Sequence, residues 1–224
     1  MITVSGRLRE LGAHLAYTVI ANVTVRPSGL RLSKALEEVE AWVRSRYGTP
    51  EELRGDPRVS ALRKFMWKLG IDPTKTRPSS EALARRILRG GRMPRINNVV
   101  DSGNAASVRT MVPIGLYDLD KLNPPLELKL CEDTCHFQPI GGGDTRLEPG
   151  TPVLVDSTGL VVHVFPHRDS RVSMIRESTR RILAVAAGVP GFSPEDLSEA
   201  LTLVAHYLNL DVPEARVEGG IRYA

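Results

Sequence analysis

The chain of 224 residues carries 30 basic and 26 acidic side chains and is 42% hydrophobic, a globular usage that excludes a disordered, collagen-like or disulfide-scaffold protein. No stretch comes near the roughly 18 uninterrupted apolar residues of a membrane span, and no basic-then-apolar leader opens the chain, so the expectation is a soluble, cytoplasmic protein with no membrane partner. The net charge of +4 hides an asymmetry: residues 1–95 hold 19 basic and 9 acidic side chains, residues 96–224 hold 11 and 17. A basic half suits a polyanionic partner, because cationic side chains release counterions condensed on phosphates. The plainer reading is a solvated helical surface.

Alternation over Leu11–Val25 predicts an N-terminal strand or two, broken at Pro27-Ser28-Gly29. Ser33 is expected to cap a helix running to Tyr47, with Leu32, Leu36, Val39, Val43 and Tyr47 on its apolar face. Asp56-Pro57 opens a second helix, whose stripe is Leu62, Phe65, Met66 and Leu69 and whose stop is Gly70. Ser79 or Ser80 is expected to cap a third over Glu81–Arg89, closed by Gly90-Gly91. Short strands follow at Leu126–Leu130, Cys135–Ile140, Pro152–Val155 and Leu160–Phe165, separated by glycine- and acid-rich turns. A helix is expected over Thr179–Ala187, and a last one from Ser193-Pro194-Glu195 to Leu208. Helices flanking an antiparallel or mixed sheet make the fold class α+β.

Cys131 and Cys135, followed by His136, lack the second ligand pair a structural zinc site needs. No metal and no cofactor is expected, and the cysteines read as strand residues or a disulfide across a turn. His167-Arg168-Asp169 has neither the glycine-rich loop nor the Asp-Phe-Gly of a protein kinase. It is a polar segment after an apolar strand, aimed into a cleft or lying in a surface loop. Gly141, Gly142 and Gly143 offer backbone N–H groups to an anion or an oxyanion, or merely a turn. Asn104 can hydrogen-bond a substrate, although capping a helix is the simpler role. Arg85, Arg86, Arg89, Arg92 and Arg95 form the densest basic cluster, suited to bidentate phosphate contacts or to a solvated face.

One stretch is not generic. Met93-Pro94-Arg95-Ile96-Asn97-Asn98-Val99-Val100-Asp101-Ser102-Gly103-Asn104, then Pro113-Ile114-Gly115-Leu116-Tyr117-Asp118-Leu119-Asp120, resembles the B3/B4 domain, the editing module of the bacterial phenylalanyl-tRNA synthetase beta chain. Arg77-Pro78-Ser79-Ser80-Glu81-Ala82-Leu83 is similar to the free-standing version in particular, and Gly141–Asp156 and His167–Ser170 with Thr179 match its later segments. The resemblance spans about residues 60–208, giving a B3/B4-like domain over 56–210, an N-terminal strand-and-helix extension over 1–55 and a C-terminal tail over 211–224.

It implies binding of tRNA or aminoacyl-tRNA and hydrolysis of a mischarged aminoacyl ester in trans; the alternative is a non-catalytic RNA-binding module. The implied pocket draws on Asn104, Gly115, Gly141, Gly142 and Gly143, with His167 and Asp169 as catalytic residues and the Arg85–Arg95 cluster on RNA. One departure stands out: Gly115 occupies the place of a histidine just ahead of the synthetase's Phe-Asp-Leu-Asp. A general base can come from His136, His163 or His167.

Overall fold

The computed structural model describes residues 1–224, and its fold is α+β. One sheet is wholly antiparallel, in the order β11 (Arg216–Tyr223), β2 (His14–Ala21), β10 (Ile182–Gly188), β3 (Ile114–Asp118). The other orders β1 (Ile2–Val4), β4 (Leu126–Leu130), β7 (Pro152–Val155), β8 (Val161–Val164) and β9 (Arg168–Asp169), with only β1 and β4 parallel. A separate hairpin pairs β5 (Cys135–Phe137) with β6 (Thr145–Leu147).

Alternate strand residues point to opposite faces, and that splits the apolar side chains into two cores. Leu15, Tyr17, Leu183 and Val185 meet Leu126, Leu128, Leu154 and Val162 between the sheets. On the far side, Ile20 and Ile182 join residues of the helical layer: α2 (Leu30–Arg46), α5 (Ser79–Leu88), α6 (Asn98–Thr110) and α7 (Pro194–Asn209). The short helices α1 (Gly6–Glu10) and α3 (Pro50–Leu53) and the longer α4 (Pro57–Lys68) complete the chain.

Helices with strong start signals form where expected. Asp56 accepts from the N–H groups of Arg58 and Val59 ahead of α4, with Pro57 in the first turn. Ser193 and Asp196 make a reciprocal capping box on α7. Other boundaries move. The first long helix begins at Leu30, not beyond Ser33, because Gly29 supplies the N-cap and its N–H is held by Asp211. Ser79 and Ser80 lie inside the first turn of α5 behind Pro78, and neither caps it.

Three expectations are overturned. Thr179–Ala187 is not a helix: Ile182–Gly188 is the central strand β10, with all seven residues buried. Covered on both faces, it has no alternation to betray it, and its alanines resemble helix formers. Asn104 caps nothing, because the cap of α6 is Asn97, whose side chain accepts from the Val100 N–H. This helix is built of small residues; at Gly103 a Cβ would lie 2.6 Å from Leu116 Cδ1, so glycine is what lets α6 settle on β3. Finally, residues 216–223 are a strand rather than a loose tail. Cys131 and Cys135 form a disulfide between the end of β4 and the start of β5. No helix is long and apolar enough to cross a membrane.

Candidate functional site

Between the two sheets the packing leaves a cavity. Leu15, Pro113, Ile114, Gly115, Tyr117, Val185 and Ala187 line it from one side, and Leu128, Leu154, His163 and Phe165 from the other; Ser79 stands at the start of α5. About 20 Å³ of it is open to the centre of a water molecule, room for about one water.

Among these apolar walls the polar groups converge on one place. β8 and β9 pair antiparallel with His163 directly opposite Asp169, so their side chains project from the same face of the ladder. His163 Nδ1 lies 2.7 Å from Asp169 Oδ1. A carboxylate only accepts, so Nδ1 donates and Nε2 is left as the basic nitrogen of the neutral ring. The Tyr117 ring meets the His163 ring edge-on at 6.3 Å between centroids. The phenol is held well above its ordinary pKa by burial first and then by the Asp169 charge. Asp169 thus accepts from His163, which lines the cavity together with Tyr117.

Gly115 is fixed by the same tyrosine. A Cβ there would sit 1.9 Å from Tyr117 Oη and 2.5 Å from Cζ. Tyr117 is fully buried, so it has no free end that can swing aside. The volume in which the resemblance expects a histidine is filled by the Tyr117 hydroxyl.

The remaining sequence candidates lie around this centre. His167 is not among the residues lining the cavity; its Nδ1 is buried without a partner. Burial, then the charges of His163 and Arg168, lowers its pKa from 6.5 to about 4. Between those two values the unfolded chain binds a proton that the folded one refuses. Stability therefore falls as pH drops through that window, by up to about 3 kcal/mol. Urea midpoints from pH 7 to pH 4 are expected to lose this component in His167→Gln; an unchanged slope would remove His167 as its source.

Gly141, Gly142 and Gly143 form the exposed tip of the β5–β6 hairpin. That hairpin lies along the strand bearing Asp169: Ile140 N–H donates to Asp169 O at 3.1 Å, and Arg171 N–H to Gln138 O at 2.8 Å. Gly142 rests beside Arg168, whose Nη2 would be 3.1 Å from an added Cβ. Asn104 sits within α6 and does not line the cavity.

Of the arginines, Arg85 is buried and donates to Pro50 O at 2.9 Å, while Arg95 pairs with buried Glu40 at 3.1 Å. Arg86, Arg89 and Arg92 are exposed. No group of three or more His, Cys, Asp or Glu side chains is placed to hold a metal ion. The sequence leaves His163 as one of three histidines and gives no sign of Tyr117 or Ser79 at the cavity. The apolar run Val161–Val164, interrupted by His163 and returning through Pro166 to Asp169, is the signal that can pair His163 with its carboxylate.

A family model described as the B3/4 domain matches residues 61–207. No curated protein matches the chain. Among solved structures, an N-terminal fragment of the phenylalanyl-tRNA synthetase beta subunit from Pyrococcus horikoshii is similar over 100% of the chain, with 15% identity and a TM-score of 0.52. The chain spans 53% of that fragment. At this identity the likeness is one of fold.

Proposed function

Because the chain belongs to the B3/4 domain family, we propose that it binds tRNA and hydrolyses a mischarged aminoacyl ester in trans. The observation that carries the reading is the His163–Asp169 pair, whose imidazole lines the inter-sheet cavity. An aminoacyl ester is already activated, so a positioned water with a base beside it can supply much of the acceleration without a side-chain nucleophile.

In this mechanism His163 Nε2 takes a proton from the cavity water as its oxygen attacks the ester carbonyl. Asp169 stabilises the imidazolium that forms. When the carbon–oxygen bond to the ribose breaks, His163 returns the proton to the departing ribose oxygen, and the free amino acid and the free tRNA end leave. The apolar walls keep competing water out. The exposed Arg86, Arg89 and Arg92 belong to the RNA-facing surface.

A second reading, a non-catalytic RNA-binding module, has one observation in its favour: the cavity has room for a water but not for an aminoacyl group as well. Catalysis therefore requires the sheets or the β5–β6 hairpin to open as the ester enters. Deacylation of a panel of mischarged tRNAs by the purified protein separates the two, beginning with tyrosyl-tRNA specific for phenylalanine. Release of one amino acid above the spontaneous rate is the expected result. Bound tRNA with no release from any member would leave the binding module alone.

A further inference from the structure

From Arg77, just ahead of α5, to Arg85, Arg86 and Arg89 at its far end, this helix gathers more positive charge than the protein neutralises. Arg77, Arg85, Arg86 and Arg89 line a groove that also includes Ala82 and Gly91. Two carboxylates approach it, and both are poorly placed. Glu81 is completely buried and lies 2.9 Å from Arg63, reaching Arg85 only at 3.9 Å. Glu51 is 72% exposed and 3.7 Å from Arg85. No ion pair involves Arg77, Arg86 or Arg89 among the eleven in the protein.

Two of these guanidinium groups carry an unmet demand. The Nε atoms of Arg77 and Arg85 are buried with no acceptor, so their desolvation goes uncompensated. Arg85 is only 9% exposed. Burial lowers its pKa, and the charges of Arg77 and Arg89 push the same way against the pull of Glu81. A solvated helix face does not look like this, since its arginines spread into water and find partners. A cluster of mutually repelling, half-sequestered guanidinium groups is what an absent anion would relieve.

Its position indicates which anion. Ser79 lines the inter-sheet cavity, and its N–H donates to Pro166 O at 3.3 Å, next to Phe165 on the cavity wall. Arg77 lies two residues earlier, so its Cα is at most about 7 Å from that of Ser79. An ester on a terminal ribose has its own phosphodiester a few bonds away. The geometry points to the Arg77–Arg85–Arg86–Arg89 groove as the site that grips the phosphodiesters of a single-stranded RNA 3′ end, feeding the terminal ribose toward the cavity. This deepens the RNA reading above and does not depend on hydrolysis. Arg77 and Arg85 form the floor and Arg86 and Arg89 the accessible clamps.

The probe is the ribotrinucleotide C-C-A, titrated into the full chain by calorimetry between about 50 and 200 mM salt. If Arg86 and Arg89 each neutralise one phosphate, Arg86→Ala/Arg89→Ala loses about 1.4 from the log–log salt slope and about 25-fold in affinity at 0.1 M salt. Arg7→Ala/Arg9→Ala removes the same charge from the exposed side chains of α1 and is expected to leave both nearly unchanged. Equal losses in the two double variants, or none in either, overturn the proposal, as does a wild-type chain that ignores the trinucleotide. Deacylation is read separately. A wild type that binds the trinucleotide through Arg86 and Arg89 but releases no amino acid retires the hydrolysis reading and leaves the phosphate groove standing. Deacylation unaffected by the arginine pair, with unchanged trinucleotide binding, does the reverse.

Discussion

Replacing His163 by asparagine is expected to slow ester hydrolysis by about 10²–10⁴-fold, the usual worth of a general base, while tRNA affinity stays as it was. His163 lines the cavity and its Nδ1 is committed to Asp169, so the basic Nε2 is the atom lost. The amide introduced by His163→Asn can still donate to Asp169 and keeps the strand pair β8–β9 intact, which separates loss of chemistry from loss of fold. His167→Asn serves as the comparison, because His167 is nearby in sequence but does not line the cavity. Its deacylation rate is expected to remain within a few-fold of wild type. Asp169→Asn acts through His163, by disturbing the tautomer that puts the lone pair on Nε2, so its signature is a changed pH–rate profile as well as a lower rate. Rates unmoved by His163→Asn, measured on the same mischarged tRNA, would sink the assignment.

Glu81→Ala is the substitution expected to cost most in stability, about 3–5 kcal/mol, as for other buried ion pairs that lose one partner. Glu81 is wholly buried, and Arg63 Nη1 approaches both of its oxygens, at 2.9 and 3.1 Å. Removing the carboxylate strands Arg63 and takes away the buried negative charge nearest Arg85. Against a typical domain stability of about 5–15 kcal/mol, such a loss is visible as a large shift in the urea midpoint. Arg63→Met in the same background removes one stranded charge and is expected to recover part of the loss. A midpoint shift worth less than about 1 kcal/mol in Glu81→Ala would mean that the ion pair does not hold the start of α5.

The elements legible in the sequence are those with local punctuation. Asp56-Pro57 and Ser193-Pro194 announce their helices because the caps are made within three residues of the boundary. Val153, Leu154 and Val155 lie between turns that delimit β7 without any tertiary knowledge. What stays hidden depends on distant partners. β10 shows no alternation because the sandwich covers one of its faces and the helices the other. α6 hides its helical period because Ser102, Gly103, Ala105, Ala106 and Ser107 are buried for being small rather than for being apolar. The sharp stop at Met111, in the left-handed region at φ 57°, carries no glycine to announce it. β11 is a polar, largely exposed edge strand, and reads as a tail until Arg216 and Val217 are seen opposite Ala21 and Ile20.

The candidate site is legible by composition and not by geometry. Asp169 and Gly115 stand out in the sequence, but the histidine beside Asp169 is set by the β8–β9 register, which no local signal fixes until the turn through Pro166 is known. The lining of the cavity comes from strands far apart in the chain, so its size and its apolar character belong to the tertiary structure alone.

The crowding of Gly115 by Tyr117 has a consequence for descent as well as for packing. Because an added Cβ would fall 1.9 Å from the phenolic oxygen and 2.5 Å from Cζ, a side chain at position 115 and a tyrosine in its present pose at position 117 exclude each other. Glycine with tyrosine is one solution to filling this volume; the histidine that the resemblance expects at position 115 requires a different residue or a repositioned ring at 117. In an alignment of relatives the two columns are expected to co-vary, dividing the family into members that bring an imidazole to the cleft from this strand and members that bring a hydroxyl.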